Sequence, residues 1–268
     1  HCGSLDRAKL IIDGAKEAGC KYIKFQTYEA SSITLKSKNI DFLISDPNSL
    51  WHGDYLFDLY EKACSPFHWQ KDLFDYSRDI GLIPFSSPFC EKSVEVLEEV
   101  GCPIYKIASF EANNLPLIKE ICLTGKPIIM STGTSDLPEI DKTIDFLIQN
   151  GLSMNDLILM KCTSNYPADI TSANVHEMKI LEDRYKCFVG YSDHTVGLAA
   201  CIAAAALGAV CVEKHFTLAH NDNDIDGAFS AGVAEMSKLV DMINDVNSAT
   251  KTDNRNQWSF SSSQFKRS

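Results

Sequence analysis

Apolar positions with helical spacing alternate along the chain with short apolar runs that are typical of buried strands. A glycine follows most of the predicted helices, and a predicted strand begins soon after it, as in the αβ units of parallel sheets. The pattern predicts helices over residues 5–18, 67–80, 91–100, 115–124, 137–150, 173–185, 198–207 and 233–246. It predicts strands over residues 20–26, 82–87, 103–109, 127–131, 157–163, 187–189 and 209–212.

The order of these elements indicates an α/β protein with a (β/α)8 TIM barrel, a fold that has eight strands and begins with a strand. Because this chain begins with a helix and has one strand too few, we expect the first strand to lie before His1. An open doubly wound sheet is the alternative, which is less favoured because no G-x-G-x-x-G motif follows a predicted strand. Residues 1–247 form the predicted barrel, and the polar residues 248–268, which lack periodicity, a predicted linker.

Residues 29–64 form an irregular insertion after the first predicted strand. The insertion is long for a βα connection, and long connections in compact domains are commonly functional. We therefore expect it to contribute to a site.

Two histidines stand at the ends of neighbouring predicted strands, His194 after residues 187–189 and His215 after residues 209–212. The carboxyl ends of parallel strands meet at one face, so the two imidazoles are placed to share a metal ion. A single histidine is more often a core residue. Two in this arrangement favour a divalent cation such as Mn²⁺ or Mg²⁺ over a thiolate-bound zinc. The histidines predicted to be surface or loop residues are His52, His68, His176 and His220.

Charged residues near strand ends are unexpected, because strands covered on both faces are almost entirely apolar. These residues are Lys24, Lys106, Lys161 and Glu213. A structural salt bridge would explain each of them singly, whereas their occurrence at the same end of different strands favours a polar pocket. The two-residue period of strands places on common faces Lys24 with Gln26, Ser192 with His194, and Glu213 with His215.

The pocket is predicted to bind an anion. Hydroxyl side chains also follow several predicted strands, namely Ser109, Ser131, Thr163, Ser164 and Ser192. Lysines and hydroxyls together form a suitable cradle for phosphate and carboxylate groups. For each hydroxyl taken alone, a role as a helix N-cap is the favoured explanation.

The composition of the chain argues against two classes of function, nucleic-acid binding and membrane spanning. The chain has 268 residues, 45% of them hydrophobic, and a net charge of -11, which argues against a nucleic-acid surface. No apolar run approaches the roughly 20 residues that a membrane span needs. The ten cysteines include no C-x-x-C pair, so we interpret them as core residues of a cytoplasmic protein.

Several motifs carry a resemblance that spans nearly the whole chain. In order they occupy residues 24–28 (KFQTY), 85–89 (FSSPF), 105–111 (YKIASFE), 130–133 (MSTG), 161–167 (KCTSNYP), 192–195 (SDHT) and 213–218 (EKHFTL). In this respect the chain resembles the sialic acid synthase family. Residues 106–111 and the insertion around residues 50–53 and 59–63 are most similar to the pseudaminic acid synthases of that family.

The resemblance implies a barrel enzyme that condenses phosphoenolpyruvate with an N-acetylated amino sugar to give a nine-carbon keto acid and phosphate. It implies that His194 and His215 are ligands of a divalent metal, Mn²⁺ or Mg²⁺. Implied phosphoenolpyruvate contacts are Lys106, Ser109, Ser131, Ser164 and Ser192. Lys24, Gln26 and Tyr166 would line the shared pocket, and Glu213 and Asp226 would act near the reacting sugar carbon. We expect Glu213 to manage the water that adds to the substrate.

The sequence departs from the family pattern at three places. The first strand of the family carries an acidic residue and an Asn-His pair, of which only His1 is present. Cys90 stands where the family commonly has Asp. Members also carry a C-terminal domain resembling an antifreeze protein, which reaches into the partner's site in a homodimer. Residues 248–268 would lead toward such a domain.

Three other functions stay open at this point. With a different amino sugar, the chain would be an N-acetylneuraminate or legionaminate synthase. A class I aldolase would use Lys106 or Lys161 as a Schiff-base nucleophile and need no metal. A barrel that only binds sugar or phosphate would not be an enzyme.

Overall fold

A computed structural model describes residues 1–47, 49–218 and 225–250. Within these ranges seven strands form one parallel sheet, and the order of strands in the sheet is their order in the chain. The strands are β1 (Tyr22–Thr27), β2 (Ile83–Pro88), β3 (Tyr105–Ile107), β4 (Ile128–Ser131), β5 (Leu157–Cys162), β6 (Phe188–Asp193) and β7 (Val212–Lys214). A doubly wound sheet reverses its strand order at a switch point, so the sequential order excludes that alternative.

In the described part of the chain, one α-helix precedes β1, three lie between β1 and β2, and one follows each later strand. The helices are α1 (Leu5–Glu17), α2 (Ala30–Ile33), α3 (Leu56–Ala63), α4 (Trp69–Asp79), α5 (Glu91–Glu99), α6 (Leu115–Leu123), α7 (Leu137–Gln149), α8 (Glu177–Tyr185), α9 (Ala199–Ala206) and α10 (Val233–Thr250). Side chains in the sequence fix several helix starts. Asp136 and Glu139 form a reciprocal capping box at α7, and Asn114 accepts a hydrogen bond from the backbone of Leu117 at α6.

The apolar face of each helix packs on the sheet. The largest core cluster joins β2 to β6 with α5 to α8 and includes the fully buried Tyr105 and Tyr191. Smaller clusters lie under α1 with α4 and under α9 with α10. The predicted α/β fold with a parallel sheet is therefore confirmed.

Gly190 in β6 is required by a close approach of the following chain. A Cβ atom at this position would lie 2.7 Å from Sγ and 2.9 Å from the carbonyl oxygen of Cys211. The absence of a side chain thus lets the segment before β7 lie directly against β6, whose last residues lead to His194.

The insertion over residues 29–64 contains two helices, α2 and α3, that the sequence pattern did not predict, because α2 has four residues and α3 eight, too few to establish a helical period. Trp51 ties the insertion to the loop before α10. Its indole Nε1–H donates to the carbonyl oxygen of Ile225 at 3.2 Å, and its ring lies edge-on to Phe229.

The last helix is longer than predicted. α10 runs to Thr250, so residues 248–250 of the predicted linker are helical, while residues 251–268 lie outside the described residues. In the described part of the chain, no helix combines the length and the apolar character needed to cross a bilayer.

Candidate active site

An ion-paired group joins the carboxyl ends of three strands. Oε1 of Glu213 on β7 lies 2.7 Å from Nζ of Lys24 on β1 and 3.2 Å from Nζ of Lys106 on β3. The hydroxyl of Ser192 on β6 donates to the same oxygen at 3.3 Å. Lys24, Lys106 and Glu213, three of the four charged residues noted near strand ends, therefore form one polar cluster together with Ser192.

Burial and charge set the protonation states of this group. Burial alone would raise the pKa of Glu213, but the positive charges of Lys106 and Lys24 outweigh burial and hold the pKa well below its usual range. Burial lowers the pKa of Lys106, the charge of Glu213 opposes that shift, and the charge of Lys24 adds to it. Lys106 is 2% exposed, so its ammonium group is held away from bulk water.

The two candidate metal ligands lie side by side. The ring centroids of His194 and His215 are 5.2 Å apart, and Tyr166 packs against both rings, with its centroid 4.2 Å from His194 and 6.1 Å from His215. Phe229 lies 5.0 Å from the His215 ring, and Oδ2 of Asp226 lies 3.4 Å from its Nδ1. The structure therefore brings Tyr166 and Asp226 together with the two predicted metal ligands, His194 and His215.

The hydrogen bonding of His194 suits a metal ligand. Its Nδ1 lies 2.6 Å from the carbonyl oxygen of Thr163, a pure acceptor, which assigns the proton to Nδ1 and leaves the lone pair on Nε2. Among the described residues there is no group of three or more His, Cys, Asp or Glu side chains that could hold a metal ion. Two imidazoles would therefore fit a divalent cation whose other ligands are oxygens of water or substrate.

Hydroxyls beside the ion-paired group form a cradle with free hydrogen-bonding capacity. The backbone N–H of Gly133 donates to Oγ of Ser109 at 3.2 Å. Oγ of Ser131 and Oγ of Ser164 are buried, and neither has a hydrogen-bond partner among the described residues. A Cβ atom on Gly133 would lie 2.5 Å from Oγ of Ser164, so a side chain there would fill the cradle. Buried, unpaired hydroxyls are costly unless a ligand satisfies them.

Some residues from the sequence analysis lie elsewhere. Lys161 points toward the helices, where its Nζ lies 2.6 Å from Oε2 of Glu177 on α8, so the salt-bridge interpretation describes it. The hydroxyl of Thr163 donates to the carbonyl oxygen of Ser172. Gln26, by contrast, shares the face of β1 that carries Lys24, and it is exposed.

His52 and His68 fall outside the two-imidazole cluster. His52 Nδ1 lies 3.1 Å from the carbonyl oxygen of Asp46, and His68 packs against Trp69. His220 lies outside the described residues. Cys90, which departs from the family pattern, has its Sγ 3.1 Å from Oγ of Ser93.

Glu111 had no predicted role, although it lies within the motif of residues 105–111. Burial raises the pKa of Glu111 to about 7, more than the positive charge of Lys106 lowers it, and Oε2 is buried with no hydrogen-bond partner among the described residues. A carboxyl group with a pKa near neutrality beside a substrate pocket is a typical proton carrier. The available signal was its position after a charged strand end, five residues beyond Lys106.

Comparison with known proteins identifies the family. The sequence profile described as the NeuB family matches residues 11–255. The chain belongs to the NeuB family. A pseudaminic acid synthase of Campylobacter jejuni is 38% identical to this NeuB chain over 249 residues, which are 93% of this chain and 71% of the relative. A pseudaminic acid synthase of Helicobacter pylori is 39% identical over 243 residues, covering 91% of this chain and 70% of the relative.

Other relatives of this NeuB chain carry different names. An N,N'-diacetyllegionaminic acid synthase of Campylobacter jejuni is 34% identical over 93% of this chain and 74% of its own length. The crystal structure of an N-acetylneuraminic acid synthetase from Leptospira borgpetersenii superposes with a TM-score of 0.86 and 27% identity, over 98% of this chain and 86% of that one. The resemblance to the sialic acid synthase family is thus confirmed, as is the prediction of a carbohydrate-biosynthesis enzyme of the transferase class.

Proposed function

We propose that this NeuB protein condenses phosphoenolpyruvate with a 2,4-diacetamido-2,4,6-trideoxy hexose, giving pseudaminic acid and phosphate. One observation carries the proposal. The lysine-flanked Glu213 and the unpartnered hydroxyls of Ser131 and Ser164 lie at the same edge of the sheet as the His194–His215 pair, the carboxyl ends of its parallel strands. The names of the two pseudaminic acid synthases, 38% and 39% identical to this chain, support this choice of sugar.

Phosphoenolpyruvate would bind through the ammonium groups and hydroxyls. Lys106 and Lys24 together carry two positive charges against the single negative charge of Glu213, so the cluster has an excess positive charge for an anionic substrate. The buried location strengthens this attraction, because little water competes with it. The proposed hydroxyl contacts are Ser109, Ser131, Ser164 and Ser192.

His194 and His215 would hold the divalent cation, with Mn²⁺ or Mg²⁺ as the proposed ions. When bound, such an ion supplies Lewis-acid polarisation of the sugar aldehyde. Gln26, Tyr166 and Asp226 would orient the sugar. The packing of Tyr166 on both imidazoles supports this role for its side chain.

The proposed reaction forms one C–C bond and one C–O bond, the latter to water, and breaks the C–O bond to phosphate. C3 of phosphoenolpyruvate bonds to the aldehyde carbon, whose oxygen takes up a proton. Water adds at C2, and phosphate leaves with the bridging oxygen, so that C2 becomes the keto carbon. Glu213 stays ionised because of its two lysines and would accept a hydrogen bond from that water. Glu111, with a pKa of about 7, would accept the proton that the water releases.

We further propose that the parallel sheet belongs to a closed (β/α)8 barrel with one more strand between β7 and β1. The sequential strand order and the ion pair between Lys24 on β1 and Glu213 on β7 support closure. The similarity to the sialic acid synthetase fold supports it as well. A homodimer, with a further domain after residues 248–268, is part of the same proposal.

Legionaminic acid synthesis is the second candidate, favoured by the relative of that name at 34% identity. The deciding experiment measures phosphate release from phosphoenolpyruvate across diacetamido-trideoxy hexoses and N-acetylmannosamine. We expect the highest kcat/KM with the pseudaminic acid precursor, loss of turnover with a chelator, and recovery with Mn²⁺. Highest turnover with another sugar would reassign the substrate. Turnover that persists in the presence of the chelator would contradict the proposed requirement for a metal ion.

A matched pair of lysines tests the pocket itself. Lys106→Met should abolish turnover, whereas Lys161→Met, whose ammonium pairs with Glu177 away from the pocket, should retain it. Trapping by borohydride in the presence of a keto acid would label the protein only if the Schiff-base alternative holds. If no sugar leads to phosphate release, the remaining alternative is a protein that binds sugar or phosphate without catalysis.

A further inference from the structure

A buried ion pair lies directly behind the two histidines. Nζ of Lys214 is 2.7 Å from Oδ2 of Asp193, and their side chains are 3% and 0% exposed. Lys214 follows Glu213 and Asp193 follows Ser192, so both point to the opposite face of the sheet from the site. The thiol of Cys201 on α9 donates to Oδ2 of Asp193, which places the pair between sheet and helix.

The Asp193–Lys214 pair also forms hydrogen bonds with Thr195, the residue after His194. Oδ1 of Asp193 accepts hydrogen bonds from the backbone N–H of Thr195 at 3.1 Å and from its hydroxyl at 2.9 Å. Nζ of Lys214 donates to the carbonyl oxygen of Thr195 at 2.7 Å. The residues immediately before and after His194 are therefore fixed by one network, which includes the residue immediately before His215.

The strand register places the Asp193–Lys214 pair directly before both histidines. Asp193 and Lys214 are partners in the last rung of the β6–β7 ladder, and each is followed by one of the two histidines. β7 has only three residues, so few ladder hydrogen bonds hold it in place. Beyond this rung, the side-chain network acts together with two backbone hydrogen bonds, from Ala168 N–H to the His194 carbonyl and from Ala231 N–H to the His215 carbonyl, to hold the segments that carry the imidazoles.

We propose that Asp193 and Lys214 are positioning residues, which hold His194 and His215 at the spacing that lets both bind one divalent cation. The inference rests on the proposed metal site. A buried ion pair that merely stabilised the fold would be replaceable by apolar residues at little cost. This pair differs because three of its hydrogen bonds go to Thr195, beside a candidate ligand.

The test is Mn²⁺ binding to the metal-free protein, measured by titration calorimetry, together with thermal unfolding without metal. Lys214→Met and the double variant Asp193→Asn/Lys214→Met should bind Mn²⁺ about ten- to a hundredfold more weakly than the wild type, the usual effect of losing a partner behind a metal ligand. The double variant leaves no unpaired buried charge. Thr195→Val, which removes only the hydroxyl donor, should give a smaller loss in a protein that folds.

Tyr105→Phe is the matched control. Tyr105 is buried on the helix-facing side of β3 next to Lys106, as Lys214 is next to Glu213, and its hydroxyl donates to Glu98 at 2.5 Å. Its loss should lower the unfolding temperature without weakening Mn²⁺ binding. If all network variants that fold bind Mn²⁺ as tightly as the wild type, the inference is overturned while the proposed function stands. If the wild type itself binds no Mn²⁺, the metal site and the inference fail together.

Discussion

Lys24 on β1 and Glu213 on β7 form an ion pair of 2.7 Å, although 189 positions separate them in the chain. They lie on the first and the last strand of the sheet, so the sheet is curled far enough to bring these two side chains together across the site. The same oxygen of Glu213 also accepts from Lys106. The Glu213 carboxylate thus neutralises part of the positive charge of two ammonium groups at the carboxyl edge of the sheet.

Replacing Glu213 tests that arrangement. Glu213→Gln keeps the shape but removes the negative charge between the two lysines and the acceptor for the reacting water, so we expect kcat to fall about a hundredfold or more. Bound Mn²⁺, measured by elemental analysis, should be unchanged. Glu177→Gln, which disturbs only the Lys161 ion pair, is the control and should keep full turnover. Loss of the metal from Glu213→Gln would instead make Glu213 a ligand or a support of one.

Glu111 predicts a specific pH dependence. Its pKa is about 7, so the carboxylate that accepts a proton is present above that pH and lost below it. The kcat/KM of the wild type should rise as pH increases through about 7, and Glu111→Gln should be slower and lack this rise. A Glu111→Gln profile with an unchanged rise near neutrality would assign the titration to another group.

The same group affects stability with the opposite sign. In the unfolded chain the Glu111 carboxyl titrates near its ordinary value of 4.5, and in the folded protein near 7. Between these values the folded state binds more protons, so its contribution to the free energy of unfolding decreases as pH rises. Glu111→Gln should lose less stability than the wild type between pH 4.5 and pH 7 in denaturant titrations. Equal losses in both proteins would argue that Glu111 is not buried as described.

Gly133 tests the hydroxyl cradle. In Gly133→Ala the new methyl group would lie 2.5 Å from Oγ of Ser164 and 3.0 Å from Oγ of Ser109, so we expect the KM for phosphoenolpyruvate to rise at least about tenfold, or ~1.4 kcal/mol. Gly14→Ala is the control, because there the methyl group meets the ends of flexible side chains such as Leu218, outside the site. An unchanged KM in Gly133→Ala would place phosphate binding elsewhere.

Trp51 tests the link between the insertion and the loop that carries Asp226. Trp51→Phe keeps an aromatic ring but removes the hydrogen bond to the Ile225 carbonyl, a loss of about 0.5–1.5 kcal/mol. The KM for the sugar should rise a few-fold while the KM for phosphoenolpyruvate stays constant. Trp69→Phe, in α4, serves as the control. A change in both KM values would indicate a general disturbance of the site.

Periodicity and chain order were sufficient for much of the fold and part of the site. His194 and His215 could be paired because each follows a predicted strand, and Ser192 and Glu213 followed from the two-residue period. Lys106 and Lys161 could not be separated by sequence, since both end a strand. Only the register, which pairs Lys161 with Tyr191 on the helix-facing side, distinguishes them.

The burial of Glu111 and the contacts of the insertion could not be predicted from the sequence, for a different reason. Glu111 lies in a short 3₁₀ turn after β3, where neither the helical nor the strand period applies, so its burial was not readable. The contact of Trp51 with Ile225 joins segments 174 positions apart and depends on how the strand ends converge. Such long-range contacts arise from the curl of the sheet, which brings distant strand ends together, rather than from any local pattern.

The tight approach at Gly190 has a consequence for sequence variation among relatives. The obstacle to a side chain there is partly the main-chain oxygen of Cys211, which no substitution at position 211 can remove. Homologues that keep the same strand register should therefore retain glycine at 190 whatever residue replaces the cysteine. A homologue with a bulkier residue at 190 must separate its last two strands, and with them the imidazoles that follow.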